Sequence, residues 1–201
     1  DHFRGFESYW SVPASEETAV NGMWVKGPGA ELFTAIQRAL GEDLPILAED
    51  LGVITPEVEA LRDRFGFPGM KILQFGFEGM GESDFQPHNF TTANCLCYTG
   101  THDNDTTLGW YRYIQEEPRK KLCKNLNCDG SQISLDMIRL CLGSIARFAL
   151  FPIQDLLQLD TQARMNTPGV PAGNWTFRYE KEDLTSELSQ WLVENTRLYG
   201  R

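Results

Sequence analysis

The sequence has no run of about 18 apolar residues, so no segment of it reads as a membrane-spanning helix. It also lacks a basic excess. Eighteen Lys and Arg face 28 Asp and Glu, a formal net charge of −10. A surface of that sign repels nucleic-acid backbones and anionic lipid, so neither a nucleic acid nor a membrane is expected as partner. Zinc-type CxxC pairs are missing, and the five cysteines (Cys95, Cys97, Cys123, Cys128, Cys141) are odd in number, which favours reduced thiols over a disulfide framework. Internal repeats, low-complexity stretches and a linker are absent as well. With 41% hydrophobic and 23% charged residues, the chain has no disorder signature. No leader peptide is visible, but residue 1 is Asp rather than Met, so that absence carries no weight.

What the 201 residues do contain is an alternation of short apolar runs and helical patterns. Leu44-Pro45-Ile46-Leu47-Ala48 reads as a buried strand ending at Glu49. Thr55-Pro56 then opens a helix, with Thr as cap and Pro at the first helical position. Val58, Leu61 and Phe65 continue it, and Gly66 stops it. Further strands are expected at 70–75, 94–98 and 149–151. Helices are expected at 32–40, at 134–147, and near the C-terminus on Leu184, Leu188, Trp191 and Leu192. Such alternation predicts a parallel α/β sheet. Glu49 and His102-Asp103 each follow directly on the C-terminal end of an apolar strand, the rim on which (β/α)8 barrels build active sites. A whole barrel takes eight strands and about 250 residues, so four strands make at most half of one.

Three acidic segments stand out: Asp1-His2-Phe3-Arg4-Gly5, Ala48-Glu49-Asp50-Leu51-Gly52 and Thr101-His102-Asp103-Asn104-Asp105. Glycoside chemistry needs two carboxyl groups, one protonated for the leaving oxygen and one to attack the anomeric carbon, about 5–5.5 Å apart in retaining enzymes. Crowded carboxylates push each other's pKa values apart and so divide these tasks. Spacing alone leaves plainer readings open. Asp1 is also a chain terminus, and a lone strand-end Glu such as Glu49 is more often a loop cap or ion pair. Asp50 is expected to bond its own turn. Asp103-Asn104-Asp105 reads either as an Asx-rich turn capping a helix over 108–114 or as a metal-binding DxD. Tyr9, Trp10, Trp24, Trp110, Tyr111 and Trp175 offer flat sugar-binding faces, though ordinary packing explains each singly.

Taken together and in order, these segments resemble the signature segments of the 4-α-glucanotransferases (amylomaltases or disproportionating enzymes). The resemblance also takes in Pro68-Gly69-Met70-Lys71-Ile72-Leu73-Gln74-Phe75, Pro152-Ile153-Gln154-Asp155, Arg164-Met165-Asn166-Thr167-Pro168-Gly169, Gly173-Asn174-Trp175 and the ending Leu198-Tyr199-Gly200-Arg201. It implies a partial (β/α)8 TIM barrel of the α-amylase superfamily, with residues 1–201 holding roughly strands 4–8 of one catalytic domain. It implies transfer of α-1,4-glucan segments between malto-oligosaccharides or starch-derived glucans, without metal or organic cofactor. Asp1 matches the nucleophile, Glu49 the general acid/base, and Asp103 the third carboxylate, which stabilises the transition state. His102 and Asn166 match sugar-contacting positions. Asp50 and Asp105 are left as structural residues. In the family an arginine sits two residues before the nucleophile, a position outside this sequence, and a second tryptophan is Phe177 here. Amylase-type hydrolysis and non-catalytic glucan binding are the alternatives. A cytoplasmic location is expected, or a plastid for a plant or algal source. The missing N-terminal half of the barrel is expected as a structural partner, and the 201 residues alone are expected to be inactive or weak and prone to associate.

Overall fold

A computed structural model describes residues 2–201. Asp1, the expected nucleophile, lies outside the described residues. The chain divides into two compact units, the first ending at Met70 and the second spanning Lys71–Arg201.

In the first unit, helix α1 (Arg4–Glu7) leads into an antiparallel ribbon of β1 (Ser8–Ser11) and β2 (Met23–Lys26), with Trp10 opposite Trp24. Helix α2 (Gly29–Leu40) and helix α3 (Pro56–Arg64) follow, and β3 (Gly69–Ile72) runs across the unit boundary. As expected, Pro56 occupies the first turn of α3 and Thr55 its cap, although the Thr55 carbonyl, not its hydroxyl, meets Val58 N at 3.0 Å. Gly66 ends the turn at φ 67°, a backbone angle that favours glycine. Phe3, Phe33, Ala48, Val58, Leu61 and Phe67 form the core, in which the Phe33 ring lies 5.6 Å from Phe3 and 5.1 Å from Phe67.

The strand expected at 44–48 does not form as a regular ladder. Leu44 N bonds Glu42 O and Ile46 N bonds Leu44 O, two tight local turns, and Pro45 has no N–H to give a neighbour. Parallel pairing begins only at the end of the run. His2 bridges Glu49, Phe3 N donates to Glu49 O at 2.8 Å, and Ala48 N donates to Pro68 O at 2.9 Å. Glu49 therefore stands, as expected, at the C-terminal end of a parallel-paired segment.

The second unit carries helix α4 (Leu73–Phe77), strand β4 (Cys95–Tyr98), helices α5 (Thr107–Tyr113), α6 (Glu116–Leu126) and α7 (Ile133–Leu142), strand β5 (Phe148–Leu150), helix α8 (Ile153–Leu156) and helix α9 (Ser186–Leu198). The sheet order is β3-β4-β5, and β4 runs parallel to β5 with Cys97 opposite Ala149. Helical crossovers are what make such a parallel pairing possible. Cys95, Leu96 and Cys97 are all buried, which is why β4 reads as an unbroken apolar run rather than an alternating one. Helix α7 is apolar on two sides because it is covered on both. Ile133, Met137 and Cys141 join the core around β4, while Leu135, Ile138 and Leu142 pack with Leu188, Trp191 and Leu192 of α9. The Cys141 thiol donates to Cys97 O at 3.0 Å.

Two expected elements are shorter than their apolar runs. The strand expected at 70–75 stops at Ile72, where Leu73 turns into α4 and Gln74 N reaches Thr99 O. The helix expected at 134–147 stops at Leu142. Gly143 N bonds Arg139 O at 2.8 Å, and Arg147 N is drawn to Ala93 O at 2.7 Å, committing the next residues to β5. Among the described residues, no helix is long and apolar enough to cross a membrane.

Candidate active site

The loop after β4 shows how six polar residues divide their work. Gly100 passes so close to Gln74 that an added Cβ would stand 2.6 Å from its Nε2 and displace the amide that donates to Asp105 O. Asn104 Oδ1 accepts from Thr101 N at 2.8 Å and from Thr101 Oγ at 2.9 Å. Asp105 spends both oxygens on structure, accepting from Thr106 N and from Thr161 Oγ, each at 2.8 Å. Thr106 caps α5 by accepting from Gly109 N at 3.1 Å. Asn104 and Asp105 are structural, Asp105 as expected, but neither makes the expected Asx turn: they accept from Thr101 N three residues back and from Thr106 N one residue on, and Thr106 is the cap of α5. His102 and Asp103 are the two that remain half-exposed.

Around Asp103 stand the two residues expected to contact sugar, His102 and Asn166. Asn166 Nδ2 donates to Asp103 Oδ1 at 2.6 Å, and His102 Nε2 lies 3.4 Å from the same oxygen. Asn166 N donates to His102 O at 3.1 Å. Arg164 ties the two segments together: its Nη2 donates to Asp103 O at 2.6 Å and its Nε to Asn166 O at 2.8 Å. The Trp175 ring centroid lies 5.1 Å from that of His102. A carboxylate held by an amide donor beside an imidazole, half open to solvent, is built to accept hydroxyl hydrogens and to present negative charge to a developing cation.

Glu49 belongs to the first unit, where it is half-buried at the end of its paired segment. The adjacent Asp50 is structural, but not through its own turn as expected. Its Oδ1 accepts from Met70 N at 2.7 Å, its Oδ2 pairs with Arg62, and an added Cβ on Gly69 would run into the carboxylate. The partner is 20 residues away, in the next strand, a pairing that local turn chemistry cannot foresee.

Asp155 was a residue of a signature segment with no role assigned. It is fully buried, and accepts from Thr99 Oγ at 2.6 Å, Thr107 N at 2.7 Å and Thr107 Oγ at 2.8 Å. One carboxylate thus fastens both ends of the loop that carries His102 and Asp103. Burial raises its pKa above the ordinary aspartate value, against the lowering pull of those three bonds. A carboxyl raised on folding contributes most to stability below the ordinary aspartate pKa, and loses that contribution as pH rises through the folded value. Asn at this position keeps an acceptor for Thr107 N and does not titrate. We expect Asp155→Asn to melt near the wild type at neutral pH. The wild type should gain on it as pH falls toward and below the ordinary aspartate range. Asp155→Ala, which orphans a buried N–H, should lose about 2–4 kcal/mol. Thermal unfolding of the three proteins across pH checks both statements.

The sequence model of glycoside hydrolase family 77, described as 4-alpha-glucanotransferase, matches residues 1–185. The chain belongs to this 4-α-glucanotransferase family. It is 53% identical over 202 residues to a 4-alpha-glucanotransferase of Synechocystis, covering all of this chain and 40% of that protein. A Thermus thermophilus 4-alpha-glucanotransferase is 52% identical over 194 residues, 93% of this chain and 39% of the relative. A chloroplastic/amyloplastic one from Solanum tuberosum is 45% identical over 206 residues, all of this chain and 35% of the relative. Among solved structures, amylomaltase from Streptococcus agalactiae in complex with acarbose superposes with a TM-score of 0.95 at 39% identity, over the whole chain and 41% of that protein. Amylomaltase from Corynebacterium glutamicum, at 14% identity and a TM-score of 0.67, shares the fold. As a 4-α-glucanotransferase sequence, the chain spans about two fifths of the length of these bacterial relatives.

Proposed function

We propose that this sequence is the catalytic C-terminal portion of a longer enzyme that moves α-1,4-glucan segments between malto-oligosaccharides. The observation that carries the reading is the Asp103–His102–Asn166 constellation, standing after a parallel strand in a chain of the 4-α-glucanotransferase family. In this reading the Asp1 carboxylate attacks the anomeric carbon while Glu49 protonates the departing glycosidic oxygen, leaving a glucosyl ester on Asp1. The 4-hydroxyl of an acceptor glucan then gives its proton to Glu49 and attacks the same carbon, releasing Asp1. Two inversions leave the α configuration unchanged. Asp103 stabilises the cationic ring at each passage, and His102 and Asn166 hold sugar hydroxyls and Asp103 itself. No step calls on a metal or organic cofactor. Residues 1–201 supply strands 4–8 of a single (β/α)8 barrel, completed by the upstream half of the same protein. The enzyme works in the cytoplasm, or in a plastid in a plant or alga.

The test is maltotriose disproportionation by the full-length protein, with total reducing ends followed. The reading expects glucose and a ladder of longer malto-oligosaccharides at a nearly constant number of reducing ends, unaffected by chelator. Reducing ends that accumulate in step with cleavage would replace it with amylase-type hydrolysis, and an absence of products would leave a glucan-binding fold.

A further inference from the structure

We propose that Trp175 is a substrate-binding residue, an aromatic platform on which the glucosyl unit gripped by His102, Asp103 and Asn166 lays its apolar face; the proposal rests on the glucanotransferase reading above. Trp175 has φ 63°, left-handed backbone that a bulky side chain rarely adopts. The surrounding loop imposes it. Thr167 N donates to Asn174 Oδ1 at 2.9 Å and Asn174 Nδ2 to Val170 O at 2.8 Å, closing the loop on itself through Gly169 and Gly173, which are also left-handed. Both peptide groups of Trp175 are then pinned: its N donates to Met165 O at 2.7 Å, and its O accepts from Arg178 Nη1 at 3.1 Å.

A glycine would take this backbone without strain, so the indole must bring something that offsets it. Packing within these 201 residues supplies little of it, the residue being 55% exposed among them. What the position achieves is to bring the ring within 5.1 Å of His102, whose neighbour Asp103 is bonded to Asn166. An exposed flat apolar surface beside a carboxylate, an imidazole and an amide matches a pyranose, which has an apolar face and a rim of hydroxyls. Strain held at an exposed aromatic next to such groups is a mark of function.

The experiment places Trp175→Gly, Trp175→Ala and Trp175→Phe in the full-length protein, and measures maltotriose disproportionation and thermal unfolding. We expect Gly and Ala to raise KM roughly tenfold with a much smaller change in kcat, as for a contact made alike in ground and transition states. Phe, which keeps a platform, should stay within about threefold of the wild type. Trp175→Gly should melt at or above the wild-type temperature, because it relieves the strained φ. An unchanged KM in the Gly and Ala variants, or a Gly variant that melts clearly lower, overturns the platform and leaves the glucanotransferase reading standing. A wild-type protein that gives no maltotriose ladder overturns that reading and the platform with it.

Discussion

Glu49→Gln in the full-length protein is expected to lower the rate of maltotriose disproportionation by about 10²–10⁴-fold, with maltotriose binding little changed. The amide is close to the carboxyl in size, so the half-buried position at the end of its paired segment tolerates it, and the backbone bond that Glu49 O accepts from Phe3 N does not involve the side chain. What is lost is the proton. A glutamine neither protonates a departing sugar oxygen nor accepts the proton of an incoming hydroxyl, so both halves of the reaction slow. A donor with an activated leaving group, such as a fluoride, needs no protonation in the first half. With it the variant should form the glucosyl intermediate at a near-normal rate and then stall. Stopped-flow release of fluoride alongside product analysis separates the two halves. A variant as active as the wild type on maltotriose would remove Glu49 from the acid/base role.

The second large effect is expected at Asp103. Asp103→Asn keeps an oxygen for Asn166 Nδ2 and leaves the backbone bond from Arg164 in place, so the loop should hold. It removes the negative charge that faces a developing oxocarbenium ion, and a loss of one preorganised electrostatic contact costs about 10²–10³-fold in kcat. The effect should fall on kcat and kcat/KM together, since the charge matters most in the transition state. A loss confined to KM would make Asp103 a binding residue only. Replacing Asn166 with Ala should give a milder version of the same pattern, because Asp103 then loses one of the two groups that meet its Oδ1.

Much of this could be read before any coordinates. Glu49, His102 and Asp103 announced themselves as polar residues at the ends of apolar runs, and the cap at Thr55-Pro56 and the stop at Gly66 are set by side-chain chemistry a few residues wide. Where the sequence misled, the deciding contact was distant. The run at 44–48 looked like a strand, but its N–H groups turn back on Glu42 and Leu44, and only its end meets His2 and Pro68. Asp50 looked like a turn residue, and its carboxylate was committed to Met70 and Arg62. Hydropathy has no way to express that the apolar run at 134–147 must release Arg147 to Ala93. Asp155 did leave a trace, as a lone carboxylate among Pro, Ile and Leu, and a charge in such company signals a buried network rather than a solvated face. Trp175 could be read as one sugar-face candidate among six aromatics, but its positive φ has no signature in composition or spacing.

The Asp155 fastening reaches beyond stability. Because Thr99 and Thr107 are both tied to one buried oxygen pair, the seven positions between them behave as a closed ring attached at a single post. The entropy of closing that ring is met below the surface, independently of what its outer residues are. The two residues at its top, His102 and Asp103, are thereby held in register with the sheet underneath.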